Sequence, residues 1–252
     1  MKTLTITNQK GGVGKSTTAA AIGQALTAHG KKVLFVDLDA QGNLSYTVQA
    51  TGAAPTVYEV LTGAATADEA IQTVGQQDII PSSRNLAGAD KILTDTGKEY
   101  ALSEALTAVQ SRYDYCIIDT PPALGILTVN ALVAATDVII PAQADIFSLQ
   151  AIQALCGTIS TVKKYCNREL NIAGIVITRY SGRAVLPREI AESIGNAAEQ
   201  IGTKLFDTRI RECIALKEAQ VVRQGIFDYA PKSNAAADYM ALTKEIIEEI
   251  GK

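Results

Sequence analysis

The chain has 252 residues, 47% of them hydrophobic and 19% charged, with a formal net charge of −3 and no tryptophan. That is ample apolar material for a large core, and the acidic balance excludes a uniformly basic nucleic-acid coat while allowing a local basic patch. The longest apolar runs are broken by glycine, proline or charge, so no transmembrane helix is expected, and the N-terminus lacks the basic-then-apolar pattern of a signal peptide.

In chain order, TLTIT (3–7) reads as a short strand and residues 16–28, rich in alanine at helical spacing, as the helix that follows. KKVLFVDLD (31–39) is a second buried strand, set off by Gly30, and DIIP (78–81) a third. Residues 98–111 predict a helix, YDYCIIDTPP (113–122) a strand running into a turn, and DVIIPA (137–142) another strand. A long helix is expected from about 146 to 165, then a strand at NIAGIVITR (171–179), a helix over 184–200, a short strand at TKLFDT (203–208) and a final helix over 234–250. Apolar strands alternating with helices predict an α/β fold: a mostly parallel twisted sheet with helices on both faces. With no internal repeat and no linker, residues 1–252 are expected to form one domain. Cys116, Cys156, Cys166 and Cys213 show no C-x-x-C spacing, which suits reduced thiols in a cytoplasmic protein. His29, near the end of the first helix, fits a cap better than a catalytic group.

Between the first strand and first helix lies NQKGGVGKSTT (8–18), which ends as a phosphate loop does, in Gly14-Lys15-Ser16. Glycines here free backbone N–H groups to close around phosphate oxygens, and the helix N-terminus adds partial positive charge. Lys15 is expected to reach the β- and γ-phosphates of a nucleotide, with the Ser16 hydroxyl on Mg²⁺. The usual first glycine of such a loop is replaced by Gln9, and a second lysine, Lys10, follows it. Three acids end apolar strands: Asp37 and Asp39 in FVDLDAQGN and Asp119 in CIID. Alternation sends Asp37 and Asp39 the same way, toward the crevice beyond the strand ends where open α/β sheets bind ligands.

The set K-G-G-V-G-K-S-T, V-D-L-D-A-Q-G-N and I-I-D-T-P-P strongly resembles the ParA/Soj branch of the deviant Walker A P-loop ATPases, relatives of MinD. Segments 79–90, 127–145 and 216–239 resemble the family too, so the likeness spans nearly the whole chain. The resemblance implies that Lys10 is a signature lysine, reaching across an ATP-sandwich homodimer to the phosphates held by the other subunit. It implies Lys15 and Asp39 as catalytic groups with Lys10, Asp39 orienting the hydrolytic water. Gly11, Gly12, Val13, Gly14, Lys15, Ser16 and Thr17 would hold the nucleotide, with Thr178 and Arg179 near its base or ribose. Ser16, Asp37 and Asp119 would serve the Mg²⁺ site. It further implies non-specific binding of double-stranded DNA by the ATP dimer, release through a ParB-like activator, and a cytoplasmic, nucleoid-associated location.

DNA binding of that kind needs phosphate-facing Lys and Arg. Residues 174–232 hold nine such residues and seven acids, a balance of +2, which leaves −5 for the rest. From this stretch Arg183, Arg211, Lys217, Arg223 and Lys232 are the candidate DNA contacts. The family pattern I-P-R-N-V-R-L-x-E-A-P is replaced here by IRECIALKEAQ (210–220), with Arg211 at the proline and Ala215 at an arginine often credited with DNA contact. A MinD-like membrane role is not expected, because Lys244, Glu245, Glu248 and Glu249 make the polar side of the last helix largely acidic. The cysteines do not match a nitrogenase-reductase pattern, and a start at the first strand argues against an N-terminal helix-turn-helix. The alternative kept open is an ATP-gated positioning protein that acts on a protein cargo.

Overall fold

The computed structural model describes residues 1–53, 55–181 and 185–251, with Val185 described by its backbone alone. Among these residues seven strands form one sheet: β1 (Lys2–Ile6), β2 (Val33–Asp37), β3 (Gln72–Val74), β4 (Gln77–Ile80), β5 (Tyr115–Asp119), β6 (Asp137–Gln143) and β7 (Asn171–Thr178). Their order is β3-β4-β2-β5-β1-β6-β7, parallel throughout except for the β3–β4 pair. The helices are α1 (Lys15–Ala28), α2 (Asn43–Thr47), α3 (Val57–Thr62), α4 (Ala67–Ala70), α5 (Ala89–Ile92), α6 (Ala101–Thr107), α7 (Ile126–Ala134), α8 (Ile146–Tyr165), α9 (Val185–Gln200), α10 (Ile214–Val221), α11 (Ile226–Tyr229) and α12 (Asn234–Ile250).

Strand alternation divides the core between the two sheet faces. Phe35, Ile117 and Ile139 join Leu4 and Ile6 on the face covered by α1 and α12. Leu34, Val36, Cys116 and Ile118 point the other way, under α3, α6 and α7, and Val138, Ile140 and Ile177 lie under α8 and α9. The close approach of α1 depends on Gly23, where a Cβ would lie 2.2 Å from two ring carbons of Phe35. The apolar side of α12 (Tyr239, Leu242, Ile246, Ile250) belongs to the same core as α1. Among the described residues no helix is long and apolar enough to cross a membrane.

Expectation and structure differ in three places. The helix expected over 98–111 is broken into a 3-10 turn, α6 and a second 3-10 turn at Gln110–Arg112. Residues 203–208 form no strand and touch the sheet through a bridge from Leu205 to Ile175. The antiparallel β3 and the short helices flanking it had no clear periodic signal.

The register Ile6↔Asp119 and Asp37↔Asp119 brings the ends of β1, β5 and β2 side by side. The loops that leave those three ends build the site.

Candidate functional site

The glycine loop is held open by backbone that only glycine adopts easily. Gly12 has φ 75° and Gly14, the N-cap of α1, has φ 87°. A Cβ at Gly11, Gly12 or Gly14 would meet nothing within 4 Å, so the concave side of the loop is free space. The convex side is pinned. The Asn8 side chain, fully buried, accepts from the Lys10 N–H at 3.0 Å and donates to Pro141 O at 2.7 Å. The Thr178 hydroxyl donates to Val13 O at 2.7 Å and lies 3.2 Å from Ala142 O. Thr178 therefore anchors the loop while also lining the cavity, as does Arg179, which at φ 50° approaches Gly12 O at 3.5 Å.

A cavity of about 490 Å³ opens on this loop and the first turn of α1. Asp39, Tyr46, Pro122 and Arg179 contribute to its walls, and the segment from Ile210 to Gln220 closes the far side. Lys15 is buried, with its ammonium 3.5 Å from Lys10 O. Burial lowers its pKa, against the pull of Asp119 and Asp39.

The three acids occupy different stations. Asp119 is fully buried and neither carboxylate oxygen has a hydrogen-bond partner. Burial, with Asp37 nearby, raises its pKa well above the carboxylate range, and the neighbouring Ser16 hydroxyl and Lys15 ammonium offset only part of this. Such an orphaned carboxylate wants a cation or its water shell. Asp37 is also fully buried, but its oxygens are engaged: one accepts from the Ser45 N–H (2.8 Å) and hydroxyl (2.7 Å), the other from the Asp39 N–H (3.1 Å). Burial outweighs those bonds and pushes its pKa up to about 6. Asp37 thus braces α2, and Ser82 extends the brace by donating its N–H to Ser45 Oγ at 2.9 Å. Asp39 lines the cavity and accepts from the Gln41 N–H at 3.0 Å. Among the described residues no three His, Cys, Asp or Glu side chains converge on one point, so a metal here would be held by few protein ligands together with phosphate and water.

Lys10 is ion-paired with Asp145, the N-cap of α8. Burial opposes the Asp145 charge, but Lys10 and the Ser148 N–H and hydroxyl outweigh it and hold its pKa below the usual value. Beside this pair Ile146 and Phe147 are exposed.

The candidate DNA contacts do not share one environment. The Arg211 guanidinium is bonded to Asp238, so it is not a free cation. Arg223 stacks on Tyr46, with 3.9 Å from guanidinium carbon to ring centre. Lys217 lines the cavity, Lys232 is exposed just before α12, and Arg183 lies outside the described residues. Sequence reasoning did not single out Asn8, Ser45, Ser82, Asp145 or Asp238 as site residues. Asp145 carried a readable signal, an aspartate just ahead of a helical period. The others work through contacts remote in sequence.

A family profile described as an AAA domain matches residues 1–172. The sporulation initiation inhibitor protein Soj of Bacillus subtilis is 38% identical, over 97% of this chain and 98% of that protein. The chromosome partitioning protein ParA of Caulobacter vibrioides is 37% identical, over 98% of this chain and 94% of its own length. The crystal structure of cobyrinic acid a,c-diamide synthase from Mycobacterium smegmatis, with a bound ATP analogue and magnesium, matches with a TM-score of 0.87 and 32% identity, covering 100% of this chain and 96% of that one. With sequence likeness to Soj and ParA along nearly its whole length and the glycine loop and strand-end acids in place, the chain belongs to the ParA/Soj family of P-loop ATPases, relatives of MinD.

Proposed function

We propose that this chain is a partitioning ATPase in which residues 1–252 act as one domain, that binds Mg·ATP in the loop cavity, pairs with a second copy on ATP, and holds DNA non-specifically until hydrolysis releases it. The observation that carries the reading is Asp119, a buried carboxylate without a hydrogen-bond partner beside Lys15 and Ser16. Such a group is a burden in a purely structural site and suits a magnesium site.

In this reading Gly11 to Thr17 present backbone N–H groups to the phosphates, and Lys15 adds its charge at the β–γ end. Ser16 and Asp119 hold Mg²⁺, and Asp37 supports the site by fixing the Asp39–Ser45 turn. Mg²⁺, when bound, neutralises charge on the phosphate oxygens. Asp39 positions a water by hydrogen bonding, and positioning supplies much of the rate in phosphoryl transfer. Lys10 exchanges Asp145 for the phosphates of the partner copy, so the pair forms only while that negative charge is present. Lys217, Arg223, Lys232 and Arg183 supply DNA phosphate contacts, with Arg211 withdrawn from that set. A ParB-like activator completes the cycle, and the protein is cytoplasmic and nucleoid-associated when ATP-bound.

The test is DNA retention at low and moderate salt with ATP, ADP or no nucleotide. Salt-sensitive retention with ATP alone, abolished by Lys10→Ala and prolonged by Asp39→Ala, is the expected result. ATP-driven pairing without DNA retention overturns the DNA reading and leaves an ATP-gated protein that acts on a protein cargo.

A further inference from the structure

We infer that Arg211 and Asp238 form a clamp that positions the base-side wall of the nucleotide cavity, an inference that rests on the nucleotide reading above. The wall is the run around Ile210–Cys213. It lies along the end of β7 with few bonds of its own: the Ile210 N–H donates to Ile177 O at 2.8 Å, the Tyr180 N–H to Ile210 O at 2.9 Å, and the Glu212 N–H to Tyr180 O at 3.3 Å. Beyond the isolated Tyr180–Arg211 bridge no ladder continues here among the described residues, so the sheet alone leaves the wall weakly held.

Asp238 supplies the missing hold from the opposite side. Its carboxylate accepts the Arg211 backbone N–H at 3.0 Å, Nε at 3.0 Å and Nη2 at 2.6 Å. It is 8% exposed and sits in the first turns of α12, which packs on α1. The planar guanidinium fork meets a carboxylate in two parallel bonds, a geometry that lysine cannot copy. The next residue, Tyr239, lies with its hydroxyl 3.1 Å from Thr18 Oγ1 in α1. In α10, the helix that continues from the wall, Gln220 Nε2 donates to Thr17 Oγ1 at 2.8 Å. The wall is therefore tied to the first turn of the phosphate-binding helix by two routes, through Asp238–Tyr239 and through Gln220.

The wall's chemistry names what it receives. Ile210, Cys213 and Leu216 line the cavity among Glu212, Lys217 and Gln220, so this wall offers apolar patches for a flat heterocyclic base between polar groups that can reach its edge. Arg211, with its charge met by Asp238, adds little attraction for phosphate and acts as a positioning residue for the base.

Calorimetric binding of Mg²⁺-loaded ATP and of Mg²⁺-loaded inorganic tripolyphosphate tests this on the full chain. Arg211→Ala and Asp238→Asn should each weaken ATP binding about tenfold or more, as misplaced positioning contacts do, and leave tripolyphosphate within about twofold. Arg211→Lys, which keeps the charge and the backbone bond to Asp238 but loses the fork, should fall between. Equal loss for both ligands overturns the clamp in favour of direct phosphate contact. Unchanged binding of both ligands with weakened salt-sensitive DNA retention overturns it in favour of a nucleic-acid contact. Should Arg211→Ala fail to fold, Arg211→Lys decides by the same split between ligands. If wild-type protein binds neither ligand, the nucleotide reading of the cavity itself falls, and the clamp with it.

Discussion

Replacing Thr178 with valine removes one hydroxyl at nearly constant shape and tests how the phosphate loop is shaped. Thr178 is 2% exposed and Val13, whose carbonyl it serves, is fully buried, so water cannot take the place of the lost donor. An acceptor stranded in this way costs about 1–3 kcal/mol. The Ala142 contact is longer, and Ala142 stays in the β6–β7 ladder, so it adds little. Thr178→Val should then lower stability by about 2 kcal/mol, or about 4–8 °C in melting temperature for a chain of this size. Thr178→Ser, which keeps the hydroxyl, should lose less than half of that. Urea unfolding without nucleotide reads the stability change, and ATP titration of the same samples reads its effect on the loop. A valine variant as stable as wild type but impaired in ATP binding would refute the reasoning, because the hydroxyl would then be touching nucleotide and not Val13.

Gly23→Ala sets helix propensity against packing: the expected gain of about 1 kcal/mol is offset by overpacking of about 1–3 kcal/mol against Phe35, for a net loss of up to about 2 kcal/mol in urea unfolding. Asp119→Asn should cut Mg²⁺-dependent ATP turnover by about 10–100-fold, the scale of lost metal-site partners. Because the raised pKa of Asp119 makes the folded state the stronger proton binder, stability of the nucleotide-free protein should fall as pH rises above the ordinary carboxylate range, and Asp119→Asn should remove that component from pH-dependent melting curves. Asp145→Asn keeps a capping oxygen for α8 but discharges Lys10's partner. With both side chains a quarter to a third exposed, the cost at neutral pH should stay below about 1 kcal/mol. The depressed Asp145 pKa makes that contribution complete above the ordinary aspartate value and lost as pH falls through the depressed one, so acid unfolding curves of wild type and variant should converge at the acid end.

The sheet and its long helices were legible because their signals are local. The 146–165 helix and the 234–250 helix were expected with the bounds they have, and the main parallel strands fall within a few residues of their apolar runs. The 98–111 segment misled because its helical spacing takes no account of the 3-10 turns at Lys98–Tyr100 and Gln110–Arg112. TKLFDT has strand composition, yet the chain there is held by Thr208 and Asp207 on Glu245 of α12 as much as by β7. The loop lysines and strand-end acids could be read as a set, but their division of labour could not. That Asp37 is engaged with Ser45 while Asp119 stands alone depends on the turn after β2, and alternation predicts direction without partners. The Lys10–Asp145 and Arg211–Asp238 pairs join residues whose proximity only the assembled sheet creates.

The position of β1 inside the sheet, between β5 and β6, has a consequence for the order in which this protein is made. Lys2 pairs with Tyr115 and Leu4 with Asp137, and the Val13 carbonyl waits for Thr178. The first strand to be synthesised is among the last to find its neighbours. At about 5–20 residues per second, a ribosome takes about 9–36 s to reach Thr178. Until β5 is made the apolar segment has no native neighbour strand to join, and its glycine loop waits longer, for Thr178; nascent chains stalled before residue 115 should leave this strand open to chaperones and proteases. The earliest residues of the chain thus form the part of the machine that is finished late.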